Sequence, residues 1–188
     1  MKSFSQEDIQ QLSLNFLLQP DERPTLLKDL TAIALPTQRY NSFLFEFVRE
    51  MQPMLVLETG TDRGRSAAHF AMGFPGSRVI TIDIDPVCKD NVDALKIENV
   101  ISVTANSLEF VGAVKDQSLD VLFLDSLHTY EHTIAEWRAY QRKVKPGGIA
   151  FFDDISLDAG MKKFWSEVQG RKVDLSHLHF SGFGAVLL

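Results

Sequence analysis

Residues 55–64 read LVLETGTDRG, an apolar run that reaches the carboxylate of Glu58 and then turns at Gly60 and Gly64. Four more apolar runs of strand length, RVITID, ISVTA, LDVLFLD and GIAFFDD, follow at residues 78–83, 101–105, 119–125 and 148–154. Continuous apolar runs are typical of parallel strands that are covered on both faces. Amphipathic segments separate them near residues 65–72, 87–95, 107–114 and 130–143. The alternation predicts an α/β fold: a doubly wound, mostly parallel sheet with helices on both faces.

The length of the chain fits one compact domain. Its 188 residues, 45% of them hydrophobic, are enough for a core that buries roughly 70% of the unfolded surface. Residues 1–52 are predicted to form an N-terminal helical cover, with helices over residues 5–19, 25–34 and 37–51, and residues 53–188 the core. Ser5 and Asp8 have the spacing of a capping box at the start of the first helix.

Composition argues against several classes of protein. The chain has 25 acidic and 19 basic residues, a formal net charge of -6, which opposes the counterion release that drives nucleic-acid binding. Cys88 is the only cysteine, so neither a disulfide framework nor a cysteine zinc site is expected. No signal-like segment and no run of 18 apolar residues is present. We therefore expect a cytoplasmic protein that binds neither nucleic acid nor membranes.

Polar side chains stand at the end of each predicted parallel strand. They are Glu58, Asp83, Asn106, Asp125, Asp153 and Asp154. Parallel strands present their carboxyl ends at one edge of a sheet, which is where ligands bind in such folds. Any one of these residues could instead cap the helix that follows it. Their number favours a ligand site.

The loop after the first predicted strand indicates a nucleoside ligand. Gly60 and Gly64 let the backbone turn tightly and approach a ligand. Asp83 follows Gly60 by 23 residues, near the spacing at which an acid binds ribose hydroxyls. The loop lacks the GxGxxG pattern, and Glu58 would repel a pyrophosphate but suits a cationic ligand. S-adenosylmethionine has both the nucleoside and the positive charge.

Five ordered motifs over about residues 38–170 resemble the class I S-adenosylmethionine-dependent methyltransferases. LETGTDRGRS at residues 57–66 is similar to their first motif, E/D-x-G-x-x-x-G. VITIDIDP at residues 79–86 resembles their second-strand motif, and TANSLE at residues 104–109 resembles the third, with Asn106 where aspartate is common. The resemblance implies a seven-stranded Rossmann-like sheet. It also implies cofactor contacts from Glu58, Gly60, Thr61, Gly64, Ser66, Asp83, Ile84, Asn106, Ser107 and Asp125.

The last two motifs, LDSLHTYEHT at residues 124–133 and VKPGGIAFFDDI at residues 144–155, resemble a branch of small O-methyltransferases with metal-dependent members. That resemblance implies a magnesium or other divalent cation on Asp125, Asp153 and Asp154, and carboxylates suit such a hard cation. It places His128 where relatives carry a lysine or histidine base. The alternatives are a metal-free relative, helix capping by these acids, and a carboxylate-bonded His128 without a catalytic role.

The sequence thus predicts transfer of a methyl group from S-adenosylmethionine to a hydroxyl oxygen of a small molecule, with His128 and Asp125 catalytic. A nicotinamide-dependent oxidoreductase and a non-catalytic nucleoside-binding module are the alternatives. Two further strands are predicted in the segments KVDLSHLH, residues 172–179, and GFGAVLL, residues 182–188. His177 and His179 would then share a strand face; two such histidines could be ligands, but surface or packing positions are favoured. The apolar N-terminal helices suit either a small substrate or a homodimer contact.

Overall fold

The computed structural model describes residues 5–15, 24 and 39–188. Within them, seven strands form one sheet. They are β1 (Leu55–Thr59), β2 (Arg78–Asp83), β3 (Val100–Thr104), β4 (Leu119–Leu124), β5 (Val144–Asp153), β6 (Arg171–Asp174) and β7 (Phe183–Leu187). The five predicted parallel strands are confirmed within one or two residues, apart from the earlier start of β5.

The sheet has the strand order β3-β2-β1-β4-β5-β7-β6. Strands β1 to β5 are mutually parallel, whereas β7 runs antiparallel to both of its neighbours, β5 and β6. The chain order reverses between β1 and β4, because β2 and β3 lie on one side of β1 and β4 and β5 on the other. A doubly wound sheet opens a crevice at this point, outside the carboxyl ends of the strands.

Helices connect the parallel strands as the amphipathic pattern predicts. The described helices are α1 (Gln6–Asn15), α2 (Tyr40–Met51), α3 (Arg65–Gly73), α4 (Pro86–Leu95), α5 (Ser107–Phe110), α6 (Tyr130–Tyr140) and α7 (Ala159–Glu167). Short 3-10 turns at Val111–Ala113 and Gln141–Lys143 extend α5 and α6. None of the helices in the described ranges has the length and apolar character needed to cross a membrane.

Two apolar layers cover the two faces of the sheet. Along β4, Val121 and Phe123 belong to the layer that contains α2 and α3, whereas Leu122 and Leu124 belong to the layer that contains α6 and α7. All four side chains are buried, because successive residues of a strand point to opposite faces. This double coverage explains why the strands appear in the sequence as continuous apolar runs.

The described part of the N-terminal segment packs on the sheet. The capping box at α1 is confirmed: the backbone N–H of Ser5 donates to Oδ2 of Asp8 at 2.8 Å, and that of Asp8 donates to Oγ of Ser5 at 3.1 Å. Helix α2 contributes Phe47, whose ring packs edge-on against Phe151 of β5 with centroids 4.9 Å apart. The predicted helix over residues 25–34 and the predicted end of the first helix at residue 19 lie outside the described residues.

The C-terminal segment differs from the prediction. A strand was predicted over residues 172–179, but β6 ends at Asp174 and Ser176–Leu178 forms a 3-10 turn. The backbone N–H of Ser176 donates to the Asp174 side chain at 2.9 Å, a local bond that ends the strand. His177 and His179 therefore do not share a strand face. The last predicted strand is confirmed as β7, which lies between β5 and β6.

Candidate functional site

A cavity of about 770 Å³ opens at the carboxyl ends of the parallel strands. Most of the residues predicted to form the site line it. They are Gly60, Thr61, Ser66, Asp83, Ile84, Asn106, Ser107, Asp125, His128, Asp153 and Asp154. Glu58 and Gly64 lie outside this lining. The topology therefore brings the predicted cofactor and cation residues to one cavity.

Gly60 makes the close turn at the end of β1. Its φ is +88°, and a Cβ atom added there would lie 1.8 Å from the carbonyl oxygen of Asp125. Hydrogen bonds join the end of β1 to its two neighbours. The N–H of Asp125, after β4, donates to the carbonyl of Thr59 at 3.0 Å, and the N–H of Gly60 donates to the carbonyl of Ile82 in β2 at 2.8 Å. No residue with a side chain fits at position 60 without moving β4.

Asp83, at the end of β2, holds the loop that follows Gly60. Its Oδ2 accepts the backbone N–H of Thr61 at 2.8 Å and that of Asp62 at 3.3 Å, and its Oδ1 accepts the N–H of Asp85 at 3.0 Å. Burial raises the pKa of Asp83, but these backbone donors outweigh it and hold the pKa below its usual value. Asp83 is therefore a carboxylate that both shapes the loop and faces the cavity.

Glu58 is fully buried. It accepts hydrogen bonds from Ser66 and, at 2.6 Å, from the hydroxyl of Thr81. Burial raises the pKa of Glu58 to about 7 against these hydrogen bonds. The carboxyl group thus links β1, β2 and the first turn of α3, which fixes the loop that the cavity uses.

Two residues continue the cavity along β2 and β3. Asn106 follows β3, and its side chain accepts the N–H of Leu108 at 2.9 Å as the N-cap of α5. Ile84 follows β2 and is 71% exposed, although it lines the cavity. An exposed apolar side chain beside polar strand ends suits one face of a planar base.

His128 bridges two of the predicted acids. Its Nε2 lies 3.1 Å from Oδ1 of Asp125, and its Nδ1 lies 2.6 Å from Oδ2 of Asp154. Asp125 does not cap α6, which begins after Thr129 without a side-chain cap, and α7 is capped by Asp158. The capping alternative is therefore wrong for these two helices.

His179 completes the same cluster from a buried, packed position and not from the surface. It is 4% exposed, and its Nδ1 lies 2.7 Å from Oδ1 of Asp153 and 3.7 Å from Oδ1 of Asp154. Asp154, with φ of +58°, also accepts a hydrogen bond from Ser181. Ligand-type atoms of Asp153, Asp154 and His179 lie within 4.8 Å of one another, so they are close enough to share one cation.

Residues 57–155 match the sequence model of a family described as a methyltransferase domain. The chain belongs to this methyltransferase family. The matched residues contain the end of β1, all of β2 to β5, Glu58, the Gly60 turn, Asp125 and the pair Asp153 and Asp154. The region that the family model covers thus contains all five motifs found in the sequence.

Curated relatives of the methyltransferase include rhamnosyl O-methyltransferases of Mycobacterium bovis and Mycobacterium tuberculosis. Each is 30% identical over 125 residues, which cover 60% of this chain and 50% of the relative. The chain therefore spans about half the length of the curated relatives it matches.

Solved structures share the fold. The methyltransferase PaMTH1 of Podospora anserina, bound to S-adenosylhomocysteine, gives a TM-score of 0.71 at 14% identity, covering 98% of this chain and 97% of that one. TomG of Streptomyces achromogenes, an O-methyltransferase in tomaymycin synthesis solved with S-adenosylmethionine, gives 0.66 at 16%, covering 98% and 99%. These similarities confirm the Rossmann-like methyltransferase sheet.

The pKa values of the acids and the histidine beside β4 and β5 are shifted in different directions. Burial and the charge of Asp153 hold the pKa of Asp125 well above its usual value. Burial raises the pKa of Asp154, but hydrogen bonds from His128 and Ser181 outweigh it and lower the pKa. Burial lowers the pKa of His128, yet Asp125 and Asp154 together raise it to about 10. The two acids therefore favour the protonated form of His128.

Among the lining residues that were not predicted as site residues, four come from segments outside the strand-end motifs. Tyr40 and Asn41 begin α2, and His179 and Ser181 precede β7. The Tyr40 ring packs 5.1 Å from that of His179. No local motif marks these residues, because the fold brings them to the strand ends from segments far apart in the chain. The SHLHF run was the one available signal.

Proposed function

We propose that the methyltransferase transfers a methyl group from S-adenosylmethionine to a hydroxyl oxygen of a small molecule, with a divalent cation bound beside the acceptor. The observation that carries the proposal is a single cavity with a nucleoside-type end and a carboxylate–histidine end. Asp83 and Asn106 lie at the first, after β2 and β3. His128 and Asp154 lie at the second, beyond β1.

The nucleoside end suits the cofactor. The exposed apolar side chain of Ile84 would face the adenine, while Asp83 accepts hydrogen bonds from the ribose hydroxyls. Thr61, Ser66 and Ser107 contribute polar atoms to the same lining. Glu58 and Gly64 act from outside the lining by fixing the turn. Asp125 lies where the methionine part would pass between the two ends.

The carboxylate–histidine end suits a divalent cation. Asp153 and Asp154 supply hard oxygen donors and His179 supplies a nitrogen, all within 4.8 Å of one another, and Asp125 adds a carboxylate to the same cavity. Oxygen donors suit Mg²⁺ or Mn²⁺, and an imidazole donor shifts the preference towards Mn²⁺. Burial, followed by the charge of Asp153, raises the pKa of Asp125, and a bound cation would favour the ionised form of this carboxyl group. The donor set therefore fits.

The acceptor must lose a proton as the methyl group arrives. The hydroxyl oxygen attacks the methyl carbon, the bond from that carbon to the sulfonium sulfur breaks, and its electron pair stays on sulfur, giving S-adenosylhomocysteine. A bound divalent cation lowers the pKa of a coordinated hydroxyl. With a cation to neutralise Asp125 and Asp154, which now pair with both of its nitrogens, the protonated His128 would release one proton to solvent. The neutral imidazole would then take the proton of the acceptor hydroxyl.

The rim of this end is apolar. Leu127, Leu157 and Phe180 line the cavity, and their exposed fractions are 59%, 47% and 65%. Exposed apolar side chains around buried polar groups favour an acceptor with an apolar or ring-shaped body and a hydroxyl group that reaches His128. The acceptor is thus expected to be a small hydroxylated ring compound.

The first test is calorimetric titration with S-adenosylhomocysteine, in buffer containing magnesium. Micromolar affinity is expected, followed by transfer of label from methyl-labelled S-adenosylmethionine to one member of a panel of hydroxylated ring compounds. The double variant Asp125→Ala, Asp154→Ala should lose transfer, whereas Asp90→Ala, an exposed aspartate on α4, should not. Binding of the nucleoside with no transfer to any acceptor would favour a non-catalytic nucleoside-binding module instead.

A further inference from the structure

Asn41 carries an unsatisfied hydrogen-bond acceptor at the cavity. It lies in the first turn of α2, lines the cavity and is 2% exposed. Within the described part of the chain, its Oδ1 has no hydrogen-bond partner. A buried acceptor without a donor destabilises the fold. A ligand that supplies a donor at this place would remove that cost.

The position of Asn41 selects one end of the cavity. Its neighbour Tyr40 packs against His179 at 5.1 Å and against Phe123 of β4 at 6.1 Å. The first turn of α2, which contains Asn41, therefore lies beside β4 and the segment before β7, whereas Asp83 and Asn106 follow β2 and β3 on the other side of β1. The nucleoside of the proposed cofactor belongs to that other side.

The proposed cofactor has three kinds of hydrogen-bond donor: the adenine amino group, the ribose hydroxyls and the ammonium group of its methionine part. The first two belong to the nucleoside end. We propose that Oδ1 of Asn41 accepts a hydrogen bond from the ammonium group, and so positions the methionine part of the cofactor. This inference rests on the proposed function. A charged donor makes this bond stronger than one between neutral groups.

Two isosteric variants test the role of Asn41 as a positioning residue. Asn41→Leu removes the acceptor, and Asn41→Asp keeps an acceptor oxygen of the same reach. Each is titrated with S-adenosylhomocysteine and with 5′-methylthioadenosine, which has the same nucleoside and thioether but no amino-acid group. Asn41→Leu is expected to weaken S-adenosylhomocysteine binding about tenfold to 100-fold and methylthioadenosine binding less than about twofold. Asn41→Asp should restore the first affinity to within about threefold of wild type.

Each other outcome overturns the inference. Equal weakening of both ligands by Asn41→Leu would mean that Asn41 supports the cavity as a whole. Unchanged affinity for both would mean that the donor to Asn41 comes from the acceptor molecule or from solvent. If Asn41→Leu does not fold, failure of Asn41→Asp to bind S-adenosylhomocysteine near wild-type strength overturns it. Wild-type protein that binds neither ligand would instead refute the proposed function, and the inference with it.

Discussion

Nδ1 of His128 lies 2.6 Å from Oδ2 of Asp154, although the two residues belong to different loops of the sheet. The bond joins the loop after β4 to the end of β5. It also holds the imidazole between two acids, since Asp125 is bound to the other ring nitrogen. The proposed base can therefore take a proton only after another positive charge has replaced its own beside these acids and it has released one proton to solvent.

His128→Gln tests the proton-transfer role. Glutamine keeps a donor towards Asp154 but cannot accept a proton at neutral pH. We expect the rate of methyl transfer to fall about 100-fold to 10,000-fold, with S-adenosylhomocysteine affinity within about threefold of wild type. Single-turnover kinetics and calorimetry measure the two quantities. A transfer rate within a few-fold of wild type would leave His128 with only a hydrogen-bonding role.

His179→Ala tests the proposed cation site. The variant removes the imidazole nitrogen that is proposed to bind the cation, and with it the partner of Asp153 at 2.7 Å. We therefore expect Mn²⁺ binding to weaken about tenfold or more. Titration calorimetry with Mn²⁺ alone measures this without any substrate. His177→Ala is the matched control, because His177 is exposed on the neighbouring 3-10 turn. Equal Mn²⁺ affinity in both variants would remove His179 from the site.

Gly60→Ala tests the close approach of β1 and β4. A methyl group there would meet the Asp125 carbonyl oxygen at a positive φ, so we expect a loss of about 3 kcal/mol in the free energy of unfolding and no measurable cofactor binding. Gly112→Ala is the control, since an added Cβ at Gly112 meets nothing within 4 Å. Urea denaturation separates the two variants, and equal stability would show that the turn tolerates a side chain.

Glu58→Gln tests the buried carboxyl group through pH. The pKa of Glu58 is raised from 4.5 to about 7 in the folded protein, so the folded state keeps a proton that the unfolded state loses. Glu58 therefore does not lower the free energy of unfolding below about pH 4.5. Its destabilising effect grows as the pH rises to 7 and reaches about 3 kcal/mol above pH 7. Glutamine cannot ionise, so the variant should gain stability relative to wild type over this range.

Urea denaturation at several values between pH 5 and pH 8 measures this difference. Glu109→Gln, which removes an equal charge from the exposed side of α5, is the control and should follow the wild-type curve. If Glu58→Gln also follows it, Glu58 is ionised in the fold at all these pH values.

The sequence predicts the sheet well because both faces of it are covered. Each parallel strand is an apolar run, and the polar residue at its end marks the cavity, as Asp83 and Asp125 illustrate. Residues of the turn after β1, such as Gly60, are also predictable, because their role depends on the few residues around them in the chain.

His179 and Asn41 could not be found in this way. Each reaches the cavity because an element that is distant in the chain packs beside the strand ends, β7 in one case and α2 in the other. The 3-10 turn at Ser176–Leu178 also breaks the period-two pattern that a strand would have given His177 and His179. Pairing across the sheet, and not local spacing, decides which histidine is buried.

Insertion of β7 between β5 and β6 has a consequence for biosynthesis. The ribosome releases Asp153 and Asp154 well before His179 and Ser181, which arrive just ahead of β7. Until that strand enters the sheet, the two carboxylates lack these partners, and no strand lies between β5 and β6 to connect them. A nascent chain halted before residue 179 would already contain every motif of the family, yet its site would remain half-assembled.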